Sequence, residues 1–163
     1  MRIIVLSGNP VALPSLQHLY RGDYISALIC PEDTIASEVA PLQNWAIDNE
    51  LPCWQVNQQS LESELSELIN ETTPDMVLIF GFPYTIPLQL LERLKYGAWN
   101  VHFSLQHANK GTITIHQLAD GIGEQVLQQQ NFNLLNTEEA GTPLYQLSLL
   151  SVALLHTSFS GIK

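Results

Sequence analysis

The sequence predicts an α/β fold: a Rossmann-like, mostly parallel sheet with helices on both faces and antiparallel strands near the C-terminal edge. Three observations predict it. The first half alternates short β-rich runs with helix-length segments, each boundary marked by a turn residue, which is the rhythm of βαβ units. Two of the runs, Arg2 to Leu6 and Met76 to Phe80, carry apolar residues on consecutive positions, as strands buried on both faces of a parallel sheet do. After Ala98 to Phe103 come two extended runs with no helix between them, and the first, Thr112 to Gln117, alternates Ile113 and Ile115 with Thr112 and Thr114, the period of a half-buried antiparallel strand.

Each element has its own signal. Arg2 to Leu6 is the first strand, and Pro14 to Tyr20 follows as a helix with proline in its first turn. Tyr24 to Ile29 is the second strand. Val39 to Asn49 carries Leu42, Trp45 and Ala46 at helical spacing, and Glu50-Leu51-Pro52 leads into a short third strand, Cys53 to Val56. Ser60 is the expected cap of a helix with Leu61, Leu65 and Leu68 on one face and Glu62, Glu64, Glu67 and Glu71 largely on the other. Met76 to Phe80 is the strongest strand and belongs at the centre of the sheet. Pro87 to Leu94 reads as a short helix, Ala98 to Phe103 as a strand, Glu124 to Phe132 as a last extended stretch, and Thr142 to Leu155 as an apolar closing helix. No repeat, linker or charge block divides the chain, so residues 1–163 are expected to form one domain.

Composition narrows the function classes. With 163 residues, 45% of them hydrophobic, the chain buries a core without help from disulfides or a structural metal. Six Lys and Arg against 16 Asp and Glu give a net charge of -10, and the basic residues Arg2, Arg21, Arg93, Lys95, Lys110 and Lys163 are scattered. No patch is available to neutralise a run of phosphates, which argues against nucleic acid as a direct partner. Cys30 and Cys53 lie outside any metal-binding or disulfide spacing, so no metal is expected and a reducing, cytoplasmic location is. The apolar opening run is too short for a signal-peptide core, and no stretch approaches the ~20 apolar residues of a membrane span.

In open parallel α/β sheets, ligands bind beyond the carboxyl ends of the strands. Three of those ends are unusual: Ser7-Gly8-Asn9-Pro10, Gly81-Phe82-Pro83-Tyr84 and Asn100-Val101-His102-Phe103-Ser104. Asn100 and His102 sit two apart on a strand and project from one face, roughly 6 to 7 Å apart. A carboxamide and an imidazole so placed can stabilise an oxyanion. The same residue types also serve plainer ends, a histidine bonded to a backbone carbonyl and an asparagine turning the chain. His116 falls on the alternating strand and reads as structural, while His18, His107 and His156 have no polar company in sequence.

These segments resemble the catalytic domain of the folate-dependent formyltransferases. MRIIVLSGNPVALPSLQHL is similar to that family's opening strand, loop and helix, and NWAIDNELPCWQV to its second helix and third strand. PDMVLIFGFPYTIPLQLLERLKYGAWNVHFSL resembles its central block in residue types and spacing alike, GTITIHQLADGI the strand that follows, and EEAGTPLYQL the start of the last helix. The resemblance implies a one-carbon transfer: 10-formyltetrahydrofolate as donor and a primary amine of a small molecule or sugar nucleotide as acceptor. It implies Asn100 and His102 as catalytic residues and Phe82, Pro83, Tyr84, Thr85 and Ile86 as the loop against which the donor's pterin lies, held mainly by backbone groups. Ser7 to Asn9 would face the acceptor. The acidic balance, and the lack of a tRNA-binding appendage after Leu155, favour a small acceptor over methionyl-tRNA.

Two departures from the family pattern fall at this site. Only Gln106 to Lys110 separate Leu105 from Gly111, where the family carries a longer loop and a helix. The chain reads Gly121-Ile122-Gly123-Glu124 where the family has Gly-Ile-Asp-Thr-Gly, so the Asp that pairs with the histidine is missing, with Asp120 the nearest substitute. Either the chain is a homologue shortened at its active site, acting as a folate-binding or scaffolding protein, or its numbering closes over absent residues. The second reading predicts interruptions at Leu105–Gln106 and Ile122–Gly123, and also in Asp33 to Ser37. A plain nucleotide-binding α/β domain is the third possibility.

Overall fold

Runs of consecutive apolar residues need cover on both sides, and the sheet supplies it. In the computed structural model, which describes residues 1–32, 35–119 and 123–162, seven strands form one sheet in the order β3-β2-β1-β4-β5-β6-β7. The strands are β1 (Ile3–Ser7), β2 (Ile25–Pro31), β3 (Cys53–Val56), β4 (Met76–Phe80), β5 (Ala98–Gln106), β6 (Lys110–Ala119) and β7 (Gly123–Asn133). The first five run parallel and the last two add antiparallel at one edge, as the sequence predicts. β4 occupies the centre, between β1 and β5, and is buried at every position.

The two faces carry separate cores. Ile3, Val5, Leu28 and Leu78 point to one, where helices α1 (Leu13–Arg21), α2 (Ala36–Asp48) and α5 (Pro143–Ser160) contribute Leu16, Leu42 and Leu154. Ile4, Leu6, Val77 and Ile79 point to the other, against Leu61, Leu65 and Leu68 of α3 (Leu61–Thr72) and Leu90 of α4 (Leu88–Leu91). Each such side chain stabilises the fold by about 1.5–3 kcal/mol on burial.

Several boundaries differ from the sequence reading, each for a local reason. Ser60 holds the cap position of α3, but its hydroxyl makes no capping bond to the helix; the Asn57 side chain instead accepts from the amides of Gln59 and Ser60, at 3.0 and 2.9 Å. The helix expected over Pro87 to Leu94 is the single turn Leu88–Leu91, after which turns through Leu94 lead to Gly97, at φ +64°, and into β5. β5 runs to Gln106, paired Leu105 to Gly111 and Gln106 to Lys110, and reverses over His107, Ala108 and Asn109. Ala108 and Asn109 make that reversal in the left-handed region, at φ +60° and +53°. The junction Ile122–Gly123 and the candidate substitute Asp120 lie outside the described residues, as does part of the stretch Asp33 to Ser37.

Two pairs of residues that the sequence leaves isolated are neighbours in space. Cys30 of β2 and Cys53 of β3 are free thiols on adjacent strands; the neighbouring Cys53 thiol and burial together push the Cys30 thiol up. Cys53 stands opposite Leu28 and Cys30 opposite Gln55, a diagonal relation poorly suited to a disulfide. His18 of α1 and His156 of α5 meet edge to face at 5.8 Å.

Candidate functional site

Sheet order brings the three unusual strand ends together, because β1, β4 and β5 are consecutive neighbours. The backbones approach closely there. A Cβ on Gly8 would stand 3.0 Å from the Pro31 ring and 3.2 Å from the Gly81 carbonyl oxygen. Gly81 itself turns the chain at φ +56°, a conformation open to glycine at little cost, and faces Asn9.

In the first loop the polar side chains are used internally. Ser7 is buried, its hydroxyl donating to the Asn9 carbonyl at 3.0 Å and accepting from the Asn9 amide at 3.2 Å. The Asn9 side chain caps the 3-10 turn Pro10–Ala12 by accepting from Val11 N at 3.0 Å. What this loop leaves for a ligand is therefore mostly its backbone.

The second loop carries Phe82, Pro83, Tyr84, Thr85 and Ile86 between β4 and α4. Ile86 is buried in the core of that face, and Phe82 and Tyr84 pack on it, edge to face at 5.4 Å. Thr85 is exposed, yet both its backbone groups are engaged. Gln58 accepts from its amide at 2.9 Å and donates to its carbonyl at 3.0 Å. The Asn57 turn that precedes α3 sets Gln58 in position, and Asn57 is tied in turn to Glu32 at 3.1 Å. Sequence reading does not single out Gln58, because its partner lies 27 residues away and no periodicity links them.

The third strand end is β5. Ile79 of β4 pairs with Asn100 and Phe80 with Val101, so His102 lies one step beyond the end of β4, level with Gly81. Val101 turns to the core under α5, and Asn100 and His102 share the opposite face, Asn100 half-buried and His102 exposed. On β6, His116 stands directly opposite Asn100 and Thr114 opposite His102. His116, read from sequence as structural, thus belongs to the same face as the two candidates.

That face is a polar ladder. The apolar core on this side ends at Ala98 and Leu118, and beyond them come Asn100, His102 and Ser104 on β5 against His116, Thr114 and Thr112 on β6. Thr112, only 5% exposed, donates to Asn131 at 2.7 Å and accepts from Gln106 at 3.1 Å, and Gln129 donates to Thr114 at 3.0 Å. The hydroxyls are satisfied by amides of the neighbouring strands, so burial carries little penalty. No group of three His, Cys, Asp or Glu among the described residues could hold a metal ion, and no helix among them is long and apolar enough to cross a membrane.

Comparison with known proteins agrees with this geometry. No family model matches the chain. A methionyl-tRNA formyltransferase of Listeria innocua is 27% identical over 177 residues, covering 95% of this chain and 56% of that protein. A second, from Pediococcus pentosaceus, is 26% identical over 179 residues with the same coverages. Among solved structures, phosphoribosylglycinamide formyltransferase from Bacillus halodurans superposes with a TM-score of 0.70 at 15% identity, covering 99% of this chain and 97% of its own. This chain resembles the folate-dependent formyltransferases in sequence and shares their fold. The formyltransferase-like chain spans between 39% and 56% of the length of these and similar curated relatives. Its matches to the two full-coverage relatives extend over more positions than its own 163 residues, so those relatives carry residues that it lacks.

Proposed function

We propose that residues 1–163 form one domain that transfers a formyl group from 10-formyltetrahydrofolate to a primary amine of a small-molecule or sugar-nucleotide acceptor. Asn100 and His102 are its catalytic residues, and Phe82, Pro83, Tyr84, Thr85 and Ile86 its donor loop. The observation that carries this reading is the sharing of one face by Asn100 and His102 beside the loop that leaves β4. When the amine nitrogen attacks the formyl carbon, the carbonyl oxygen takes up negative charge. The Asn100 carboxamide and the His102 ring N–H are donors able to meet it, and collapse breaks the bond from the formyl carbon to the folate nitrogen, which leaves with the proton that the attacking amine gives up as the new amide forms. Phe82 and Tyr84 offer an aromatic wall suited to a flat heterocycle. The net charge of -10 disfavours an RNA acceptor, although the curated relatives bear the name of a tRNA-modifying enzyme.

A second reading, a homologue that binds folate without turnover, draws on the three-residue turn between β5 and β6 and on the exposure of His102. No ion pair to His102 occurs among the described residues. One experiment separates the readings: formyl transfer from 10-formyltetrahydrofolate to a panel of amines and amino-sugar nucleotides, run beside calorimetric titration with folate. Turnover supports transfer, binding alone supports the second reading, and neither leaves a nucleotide-binding α/β domain.

A further inference from the structure

Charge is spread unevenly along the chain. Of its 16 acidic and six basic residues, only Glu138 and Glu139 fall between Gln125 and Ile162, the stretch that holds most of β7 and all of α5. Half of the large hydrophobic side chains exposed among the described residues also lie there, Leu135 at 65% and Leu149 at 47% among them. Gln146 accepts from the Leu135 amide and donates to the Leu135 carbonyl, both at 2.8 Å, which holds Leu135 against the first turn of α5.

β7 is the end strand of the sheet, and its outer edge has no strand beside it among the described residues. It runs for 11 residues without a proline or a lysine, the residues that commonly guard an open edge. Its pairing with β6 skips Leu127 and is regular from Gln128 to Asn133, a run of amides and one phenylalanine with no charge. Gln128, Gln130 and Phe132 of that run form, with Leu150, Ala153 and Thr157 of α5, an open groove of about 190 Å³.

We propose that a second copy of this chain docks on this face, β7 against β7 antiparallel, joining the two sheets into one. An unpaired edge calls for a strand, and charge selects which strand. With a net charge of -10, two copies repel each other over most of their surface, and an uncharged face is where they can meet without opposing like charges. Antiparallel pairing of a strand with its own copy is generated by a two-fold axis perpendicular to the sheet, a closed arrangement that leaves no β7 edge for a third chain. The same axis keeps both α5 helices on one side of the joined sheet and turns the two grooves toward each other. The inference is independent of the formyl-transfer reading.

The test is sedimentation of the unaltered chain over a range of concentrations, which should show a particle of twice 18.2 kDa at the upper end. The dimer should tighten as salt rises, because salt screens the repulsion between two anionic copies. Gln130 and Ala153 are exposed, and Gln130→Lys and Ala153→Glu each set a charge against its own copy; each is expected to weaken the dimer about tenfold or more with the melting temperature of the monomer unchanged. Ile47→Glu, at an exposed hydrophobic position of α2, should leave the dimer as it is. Hydrogen exchange then locates the contact, since amides of β7 should exchange more slowly as concentration rises. A chain that stays monomeric throughout would overturn the proposal and leave the face to a different partner. A dimer that tolerates both new charges, or β7 amides whose exchange ignores concentration, would overturn it as well.

Discussion

In β1 and β4 every side chain is buried, whereas in β5 burial alternates and then ceases toward Gln106. The two regions belong to one sheet and differ in what covers them. The parallel strands lie between helices on both faces, so their side chains are chosen for volume. The antiparallel strands β5 and β6 have α5 over one face, where Val101, Ile113 and Ile115 pack, and a ladder of amides, hydroxyls and imidazoles on the other. The contrast teaches that apolar packing on both faces and a polar face are divided between halves of the sheet and meet where β4 pairs with β5.

If that division holds, the largest effect of any single change belongs to the parallel half. Phe80→Ala, deleting a fully buried ring from the central strand, should lower unfolding free energy by about 3–5 kcal/mol in a denaturant titration. A loss below about 1 kcal/mol would mean that the centre of the sheet is not where the stability lies. Next comes His102→Ala on the exposed face. It should reduce formyl transfer by roughly a hundredfold or more while the melting temperature stays within a degree or two. Ordinary turnover in that variant would remove the oxyanion role. Thr112→Val sharpens the comparison inside the ladder: it keeps the side-chain shape but leaves Asn131 and Gln106 without their shared hydroxyl, and should cost about 1 kcal/mol. Chemical denaturation measures this, and a stabilised variant would show that the ladder is not a source of stability. The smallest effect should come at the β5–β6 turn. Ala108→Gly relieves a left-handed alanine and should raise stability by about 0.5 kcal/mol, net of the greater chain entropy of glycine. A lower melting temperature would argue against the tight turn.

The division also explains which parts could be read from sequence. Where burial repeats at a fixed period the residues announce it: Met76 to Phe80 at the centre, Thr112 to Gln117 alternating, Leu61, Leu65 and Leu68 along one helix face. Asn100 and His102 are legible as a pair because a strand places alternate residues on one face. What stays hidden is contact between distant segments. Gln58 and Thr85, Cys30 and Cys53, His18 and His156, and His116 opposite Asn100 all depend on how elements pack. Ser60 takes the cap position of α3 as its residue type suggests, but which side chain bonds the amides of the preceding turn is hidden for a related reason. Asn57 and Ser60 are both good capping residues, and only the course of the turn decides which side chain takes the amides. The extension of β5 from Phe103 to Gln106 is legible in neither residue type nor period, because a left-handed alanine is an unexpected turn former.

Strand order has a kinetic consequence. β1 is flanked by β2, its near neighbour in sequence, and by β4, whose residue Met76 pairs with Ile3. Pairing across that span closes a long loop, while β5 and β6 join by a short reversal, and β6 and β7 pair as near neighbours in sequence, so these strands can zip locally. During synthesis from the N-terminus, β1, apolar from Ile3 to Leu6, must wait with one edge open until β4 is made. That interval is when the chain is most prone to associate with others. Folding yield should therefore respond to conditions that shorten the life of the half-built sheet, and much less to changes at the polar edge.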